Sequence, residues 1–361
     1  MNSVKPVPIA FVLPSFAAGG AQRVMITLAS QLDRARFSPF FVVFENAGPW
    51  RSLLPLDLPV MSVGKSSLRA ALPGILKLLR HERPDIIVST LSYVNAALLL
   101  VKPLLPSRSK LIVREANTSR HHTKSLVGKV AYTMAYRYLY PRADRIICPA
   151  SYLADELTER FGLDRKRIAV IGNPVDELAL RNIARTVMKR AGAGRLFVAV
   201  GRLEPQKGYD RLLDDFSYLP ADSHLVIFGE GELRAQLTQR IKDLGLNGRA
   251  ILAGFEPQPG PWIAGADALV LPSRWEGLPN VALEALACGT KVISTPEAGG
   301  IGEIAANATA GAVTIAESGS AFIAAMEAVS PRSEKVLYPS LLPRCYRLEE
   351  VGKEFEKILM Q

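Results

Sequence analysis

The sequence contains few of the residues that cross-link a chain or bind metal. It has three cysteines and four histidines in 361 residues, and no C-x-x-C pair. An odd number of cysteines lying in or beside apolar segments indicates reduced thiols and a cytoplasmic protein rather than a disulfide framework. The spacings H-x-x-x-H and D-x-D are absent. We therefore expect a protein that works without a metal ion.

Long apolar runs are also missing. No window has 18 uninterrupted apolar residues, and the nearest run, AALLLV, is followed by Lys102 and Pro103. The apolar run near the N-terminus is short and is interrupted by Pro8 and Pro14. It predicts a first strand rather than a signal peptide. No part of the sequence therefore predicts a membrane-spanning segment.

The charge is unevenly divided along the chain. Residues 1–175 hold 24 Lys and Arg against 11 Asp and Glu, a net charge of +13, whereas residues 176–361 have a net charge of −3. A basic half favours an anionic partner such as nucleic acid, anionic lipid or a phosphorylated acceptor. Aromatic residues do not alternate with the cations as a single-strand groove needs, which argues against nucleic acid.

Short apolar strands alternate with amphipathic helices along the whole chain. IAFVL, PFFVVF, DIIVST and KLIVRE are separated by helical patterns in the first half, and LFVAVG and HLVIFG restart the series in the second. This alternation predicts doubly wound parallel sheets. The length fits two domains of about 175 residues each, and a boundary near residue 175 agrees with the break in charge. We expect domains at 1–175 and 176–340, with a C-terminal helix within 341–361.

The stretch from Ser273 to Gly289, SRWEGLPNVALEALACG, lies between two apolar strand patterns. It predicts a loop and then a helix that starts near Pro279 and stops at Gly289. Glu276 falls in the loop above the carboxyl end of a strand, and Glu284 about one turn into the helix. In open parallel sheets ligands bind at that edge. The free N–H groups at the helix start, those of Asn280 and Val281, would favour a phosphate.

The two glutamates, spaced E-x7-E within S-R-x-E-G-L-P-N-x-x-L-E-A-x-A-x-G, resemble the signature of the retaining GT-B glycosyltransferases called group 1 or family 4. Gly201-Arg202 and Lys207-Gly208 resemble the family's G-R-x-x-x-x-K-G. The resemblance implies two Rossmann-like domains facing across a cleft, and metal-independent, hexosyltransferase-type transfer from a nucleoside-diphosphate sugar, most simply a UDP-sugar. IGNPVD, from Ile171, is similar to the family's hinge, and the C-terminal helix would pack back towards the first domain.

The resemblance also implies a role for each matching residue. Arg202 and Lys207 would stabilise the leaving diphosphate, Glu276 would hold a hydroxyl of the sugar, and Glu284 would hold the ribose. Catalysis would then rest on Glu276, Arg202 and Lys207, with no cofactor. The donor-binding residues would be Gly19, Gly20, Gly201, Arg202, Lys207, Glu230, Gly277, Leu278, Asn280, Val281 and Glu284.

Two positions depart from the family pattern. Ala116 stands where a histidine is frequent, with His121 and His122 a few residues downstream, and Gly302 replaces a proline before Glu303. The departures leave two alternatives open. A GT-B nucleotide-sugar epimerase would turn over the donor without an acceptor. A non-catalytic subunit would bind the nucleotide without turnover.

The basic first half predicts a lipid-linked or otherwise anionic glycan acceptor, and peripheral attachment to the inner face of a membrane. Such a transferase would serve polysaccharide biosynthesis. Two stretches could provide the contact surface. SLRAALPGILKLLRHER places cations among leucines, and SLVGKVAYTMAYRYLY places cations among tyrosines, which favour the headgroup level. The cations concerned are Arg69, Lys77, Arg80, Arg83, Lys129 and Arg137.

Overall fold

The computed structural model describes residues 5–117, 125–185, 194–332 and 337–361. The chain forms two compact units, one of Met1–Pro174 with Leu348–Gln361 and one of Val175–Arg347. Within the described residues each unit contains one sheet, and its neighbouring strands all run parallel. The alternating pattern of the sequence is therefore confirmed as two parallel α/β units.

The described part of the first unit contains seven strands in the order β3-β2-β1-β4-β5-β6-β7. The strands are β1 Val7–Leu13, β2 Phe37–Val43, β3 Val60–Ser62, β4 Ile86–Thr90, β5 Lys110–Arg114, β6 Arg145–Cys148 and β7 Ile168–Val170. The helices between them are α1 Gly20–Gln31, α2 Leu68–Glu82, α3 Ser92–Leu100, α4 Leu126–Met134 and α5 Ser151–Phe161. Helix α4 continues as a wide π-helical turn, Ala135–Leu139.

Both faces of this sheet are covered, as a parallel sheet requires. Alternate residues of β1 enter opposite cores: Ala10 and Val12 belong to one cluster, and Ile9 and Phe11 to the other. The C-terminal helix, Leu348–Met360, packs on the second cluster through Val351, Phe355 and Leu359. Its Phe355 ring lies 6.3 Å from the ring of Phe11. This helix thus belongs to the core of the first unit.

In the residues that the structure describes, the second unit contains six strands in the order β10-β9-β8-β11-β12-β13. The strands are β8 Leu196–Val200, β9 His224–Phe228, β10 Ala250–Gly254, β11 Ala268–Leu271, β12 Lys291–Ser294 and β13 Val313–Ile315. Its helices are α6 Glu177–Ala184, α7 Tyr209–Ser217, α8 Arg234–Asp243, α9 Gly260–Gly265, α10 Asn280–Ala287, α11 Ile301–Asn307 and α12 Ser320–Glu327. The strand order reverses between the neighbouring strands β8 and β11. In doubly wound sheets, ligands bind at such a point, beyond the carboxyl ends of the strands.

Candidate active site

Two loops meet at the carboxyl ends of β8 and β11. Gly208 adopts a left-handed backbone, with φ of 67°, and a Cβ atom there would lie 2.1 Å from the carbonyl oxygen of Pro272. The side-chain amide of Gln206 donates to the carbonyl of Trp275 at 2.9 Å, and the backbone N–H of Arg274 donates to the carbonyl of Gln206 at 2.8 Å. The loop after β8 and the loop after β11 are therefore joined by backbone contacts.

Glu276 is at the centre of this junction and is only 8% exposed. Its carboxylate accepts hydrogen bonds from the hydroxyl of Ser273 at 2.8 Å and from the amide of Gln206 at 3.3 Å. It also forms an ion pair with the ammonium of Lys207. The Lys207 side chain crosses Gly201, where a Cβ atom would lie 2.9 Å from Lys207 Cε. The structure thus brings Glu276, Lys207 and Gly201 together.

Arg202 is placed differently from Lys207. Its side chain is 59% exposed, and its guanidinium donates to Glu204 at 2.6 Å. Pairing with Glu204 at the protein surface is worth little, so a phosphate with a higher charge could displace Glu204.

The turn after β9 packs directly beneath Gly201. A Cβ atom on Gly229 would lie 1.9 Å from the carbonyl oxygen of Gly201. Glu230, the next residue, is exposed. Its carboxylate pairs at 2.8 Å with Arg234, the first residue of α8. Its backbone carbonyl accepts from the N–H of Leu203 at 2.9 Å. The backbone of Glu230 therefore supports the loop that contains Arg202.

Helix α10 begins at Asn280, with Pro279 as its N-cap residue, so it starts one residue later than the predicted start at Pro279. Leu278 is 5% exposed and Val281 is 9% exposed. The carbonyl of Gly277 accepts from the N–H of Gly300 at 2.8 Å, which joins this loop to the next crossover. Four predicted donor-binding residues, Gly277, Leu278, Asn280 and Val281, thus lie in one segment with Glu276, which was predicted to be catalytic.

Glu284 lies in α10 and is 8% exposed. Burial, with a contribution from Glu284, raises the pKa of the Cys288 thiol to about 12. Gly289 follows with a φ of 72°, the left-handed conformation typical of a residue that ends a helix. The predicted stop of the helix at Gly289 is confirmed.

An arginine and an aspartate that the sequence analysis did not connect support the Glu276 loop. Arg274 donates two hydrogen bonds to the carboxylate of Asp210, at 2.8 and 2.7 Å. The Arg274 guanidinium lowers the pKa of Asp210 from its usual value. Arg211, the next residue, donates to the carbonyls of Pro272 and Ser273 at 2.8 and 2.9 Å. The sequence placed Arg274 in the signature but could not reveal its partner, 64 positions away.

The adjacent acids Asp214 and Asp215 lie in α7, and Asp215 is buried there. That residue is 6% exposed, and its carboxylate accepts from the hydroxyl of Ser318 at 3.1 Å and the N–H of Gly319 at 3.2 Å. Burial raises its pKa. Asp214 pairs with Arg240. Among the described residues no group of three or more His, Cys, Asp and Glu could hold a metal, and independence of metal stays a prediction.

The loop after β1 contains the predicted Gly19 and Gly20. Gly19 is the N-cap residue of α1, and its carbonyl accepts from the indole N–H of Trp50 at 3.2 Å. A Cβ atom on Gly19 would lie 2.2 Å from Gln22 Oε1. Gly20 is the first residue of α1. Gly19 therefore ends the loop at the carboxyl edge of the first sheet and Gly20 begins α1, and a larger residue at position 19 would displace the Gln22 side chain.

A buried polar cluster at the same edge was not predicted. The carboxylate of Glu115, 2% exposed, accepts from the hydroxyl of Ser92 at 2.7 Å and from the hydroxyl of Tyr140. The neighbouring Arg114 donates to Asn173 at 2.5 Å, and burial lowers the pKa of Arg114 to about 10. In the sequence, this cluster is indicated only by an acid next to an arginine at the end of the strand pattern KLIVRE.

The two departures from the family pattern are placed as follows. Ala116 follows Glu115 and is partly buried, whereas His121 and His122 lie outside the described residues. Gly302 is exposed, and a Cβ atom there would meet open space. The Glu303 carboxylate adds to the effect of burial in raising the pKa of Tyr346. Nothing in the surroundings of Gly302 requires a glycine.

Comparison with known proteins identifies the class. A model described as "Glycosyl transferases group 1" matches residues 182–335, and one described as "Glycosyltransferase Family 4" matches residues 18–177. HepE from Anabaena, solved with UDP-glucose, has a TM-score of 0.79 at 18% identity and covers 98% of this chain and 99% of its own. The fold is therefore that of a GT-B glycosyltransferase.

Two relatives in sequence extend over most of the chain. One is the N-acetylgalactosamine-N,N'-diacetylbacillosaminyl-diphospho-undecaprenol 4-alpha-N-acetylgalactosaminyltransferase of Campylobacter jejuni. It is 26% identical over 306 residues, which are 80% of this chain and 81% of the relative. The other is the lipopolysaccharide core biosynthesis glycosyltransferase LpsE of Rhizobium meliloti. It is 26% identical over 285 residues, or 78% and 77% of the two chains. This chain belongs to the group 1 / family 4 glycosyltransferases and is a glycosyltransferase.

Proposed function

We propose that the chain transfers a hexosyl group, with retention of configuration and without a metal ion, from a nucleoside-diphosphate sugar to a lipid-linked or otherwise anionic glycan acceptor. UDP is the simplest nucleotide for the donor. The observation that carries the proposal is the pairing of Lys207 with the buried Glu276 at the carboxyl edge of the second sheet. One cation and one acid are thereby held where a diphosphate and a sugar would meet.

The two cations suit a leaving diphosphate. Negative charge grows on that group as the sugar–phosphate bond breaks, and cations already in place stabilise it most. Lys207 is fixed by Glu276, and Arg202 is 59% exposed with only Glu204 as its ion-pair partner among the described residues. Together they can neutralise about two negative charges without a metal ion.

Glu276 is better suited to hold a hydroxyl than to attack the sugar. Its oxygens already accept hydrogen bonds from Ser273, Gln206 and Lys207, which reduces their nucleophilicity. Retention therefore needs a route without a covalent enzyme adduct. In our proposal the acceptor attacks from the face that the diphosphate leaves, and the diphosphate takes the acceptor's proton.

The donor is tested first by thermal shift. A nucleoside diphosphate at 100 times its dissociation constant adds about 2.7 kcal/mol to the free energy of unfolding, so a panel of nucleotides and nucleotide sugars identifies base and sugar. NMR of the product formed with a lipid-linked acceptor then reports the anomeric configuration. Turnover of the donor without an acceptor product would indicate an epimerase. Binding without any turnover would indicate a non-catalytic subunit.

Arg202→Ala and Lys207→Ala test the phosphate assignment. Each should lower kcat/KM by about 2 to 4 kcal/mol in transition-state free energy, because each leaves part of the diphosphate unpaired. Lys65→Ala, a change of one exposed lysine in the first unit, is the matched control and should have little effect. Near-normal kcat/KM in both site variants would refute the assignment.

The membrane contact that we propose uses α4 rather than α2. The leucines of α2 face the core, with Leu79 buried and Leu76 and Leu78 packed against it. Helix α4 instead exposes apolar side chains at positions i, i+3 and i+7: Val127 (79% exposed), Val130 (56%) and Met134 (51%).

Further exposed side chains extend this surface of α4. Tyr138 is 58% exposed in the π-helical turn, and Lys129 and Arg137 are exposed beside the apolar residues. Each cation near an anionic surface adds about 1 kcal/mol to binding, and the apolar groups add to this. No helix in the described ranges is long and apolar enough to cross a membrane. We therefore propose reversible attachment to an anionic cytoplasmic membrane surface.

Sedimentation with vesicles tests this contact. Wild type should sediment with anionic vesicles at low salt, and less at high salt, but not with neutral vesicles. Val130→Asp should weaken sedimentation with anionic vesicles. Ala70→Asp, which adds the same charge at an exposed position of α2, should not. Recovery of wild type in the supernatant with anionic vesicles at low salt would exclude the membrane contact and leave the transferase proposal standing.

A further inference from the structure

The first unit has a concave surface at the amino ends of its strands. Lys110 is the first residue of β5 and Arg145 the first residue of β6. The single helical turn Arg165–Arg167 directly precedes β7. Because these neighbouring strands are parallel, their starts share one edge of the sheet, opposite the edge that contains Gly19 and Glu115.

A cavity of about 410 Å³ opens at this edge. Four cations line it, Lys110, Arg145, Lys166 and Arg167, with Asp144 as the one acidic side chain among the lining residues. Its volume is within the range of about 300 to 1,000 Å³ typical of small-ligand sites. The lining side chains therefore have a net charge of +3, concentrated in a space the size of a small ligand.

The one acid is already engaged from outside the cavity. Asp144 Oδ2 accepts from the ammonium of Lys102 at 2.7 Å and from the backbone N–H of Leu111 at 2.7 Å. Its charge is therefore shared with a fifth cation, Lys102, and only partly offsets the four cations that line the cavity.

The two arginines are held in place by backbone carbonyls instead of carboxylates. Arg145 Nη1 donates to the carbonyl of Lys166 at 2.7 Å, and Arg167 Nη1 donates to the carbonyl of Pro141 at 2.9 Å. Within residues 5–117, 125–185, 194–332 and 337–361, neither arginine forms an ion pair with a carboxylate, and neither does Lys110 or Lys166. Each guanidinium is thus positioned while most of its N–H groups remain available for an oxyanion.

We propose that this cavity is a binding site for a phosphate-bearing ligand that has two or more negative charges. Positioned guanidinium groups form strong, charge-assisted hydrogen bonds with phosphate oxygens. The concave shape concentrates the potential of the four cations, so a compact polyanion gains more than a single surface charge would. The ligand is either a free phosphate compound or the headgroup of an anionic lipid. The site lies in the first unit and does not depend on the donor residues of the second.

Inorganic pyrophosphate is the probe, and calorimetry the measurement. The full-length chain is used with Arg202→Ala and Lys207→Ala in place, so that the proposed diphosphate contacts of the second unit do not contribute. We expect saturable binding of one pyrophosphate per chain. Changing Lys110→Glu and Lys166→Glu together should weaken this at least tenfold.

Lys65→Glu with Lys77→Glu is the matched control, because it changes the net charge equally at exposed positions that do not line the cavity. It should change the affinity less than twofold. Equal weakening by both pairs, or no saturable binding of pyrophosphate, would overturn the proposal. Melting temperatures check that each variant is folded. If vesicles containing phosphatidic acid compete with pyrophosphate, the source is a lipid headgroup; if they do not, it is a free phosphate compound.

Discussion

Gly201→Ala should reduce activity more than stability. A Cβ atom at Gly201 would lie 2.9 Å from Cε and 3.1 Å from Cδ of Lys207, and 2.8 Å from the hydroxyl of Tyr209. The lysine stem is flexible and can move aside, whereas Tyr209 is buried. The added methyl group therefore pushes the ammonium of Lys207 away from Glu276 and from the proposed diphosphate position.

The two effects differ in size. Displacing a flexible side chain by one methyl group should cost about 1 kcal/mol of unfolding free energy, the low end for overpacking. Losing a hydrogen bond to a charged group costs about 1.5 to 3 kcal/mol. If Lys207 makes that contact with the leaving diphosphate, kcat/KM should fall about 10- to 150-fold.

Initial rates with saturating acceptor measure the effect, alongside urea denaturation for stability. Lys207→Ala and the double variant complete a double-mutant cycle. If Gly201→Ala acts through Lys207, it causes no further loss in the Lys207→Ala background. Additive losses would refute the reasoning. Gly352→Ala is the control, since its Cβ atom would make ordinary contact with Gln31 at 3.8 Å and lies in the C-terminal helix.

Three further predictions follow from the second unit and the thiols. Glu276→Gln should reduce turnover more than binding of the free nucleoside diphosphate, whereas Glu284→Ala should weaken that binding; calorimetry separates the two, and equal loss of binding would contradict the roles. Because Arg274 lowers the pKa of Asp210, their pair stabilises the fold above about pH 4 and loses this effect as the pH falls through the lowered pKa. Asp210→Asn should therefore flatten the acid dependence of unfolding free energy below about pH 4 in urea titrations; an unchanged slope would argue against it. A thiol reagent should modify exposed Cys345 before the buried Cys148 and Cys288, whose pKa values burial raises; simultaneous modification of all three in the folded chain would show that the thiols are accessible.

The fold could be predicted because its signal is local. A strand buried on both faces must be apolar throughout, and the crossover helices show the hydrophobic periodicity of an amphipathic helix. The strands IAFVL and DIIVST accordingly appear as β1 and β4, neighbours in the sheet. The order of the strands could not be predicted, because it depends on which helices cover which face. The chain also crosses back into the first unit at Leu348, seven residues after the predicted start of the C-terminal helical segment.

The candidate site was predictable only where its residues lie in one segment. Gly277, Asn280 and Glu284 are close in sequence, so strand, loop and helix signals place them together. The pairing of Lys207 with Glu276 spans 69 positions and depends on the adjacency of β8 and β11. The family resemblance implied a phosphate contact for Lys207 and a sugar contact for Glu276, but it could not show that the two residues touch. The cluster around Glu115 was missed for the same reason, since Tyr140 is 25 positions away.

The net charge of the first half does not show which charges act together in the structure. A strand of five residues such as β5 spans about 17 Å, at about 3.3 Å per residue. The Debye length is about 8 Å at physiological ionic strength, so charges at opposite edges of this sheet do not act as one field. Lys110 and Lys166 at the amino edge therefore contribute little to an acceptor at the carboxyl edge. Their combined change to glutamate should leave the KM for a lipid-linked acceptor within about twofold when that acceptor is presented in neutral detergent micelles, although it removes four units of charge. A large rise in that KM would mean that the net charge of +13 acts as a whole.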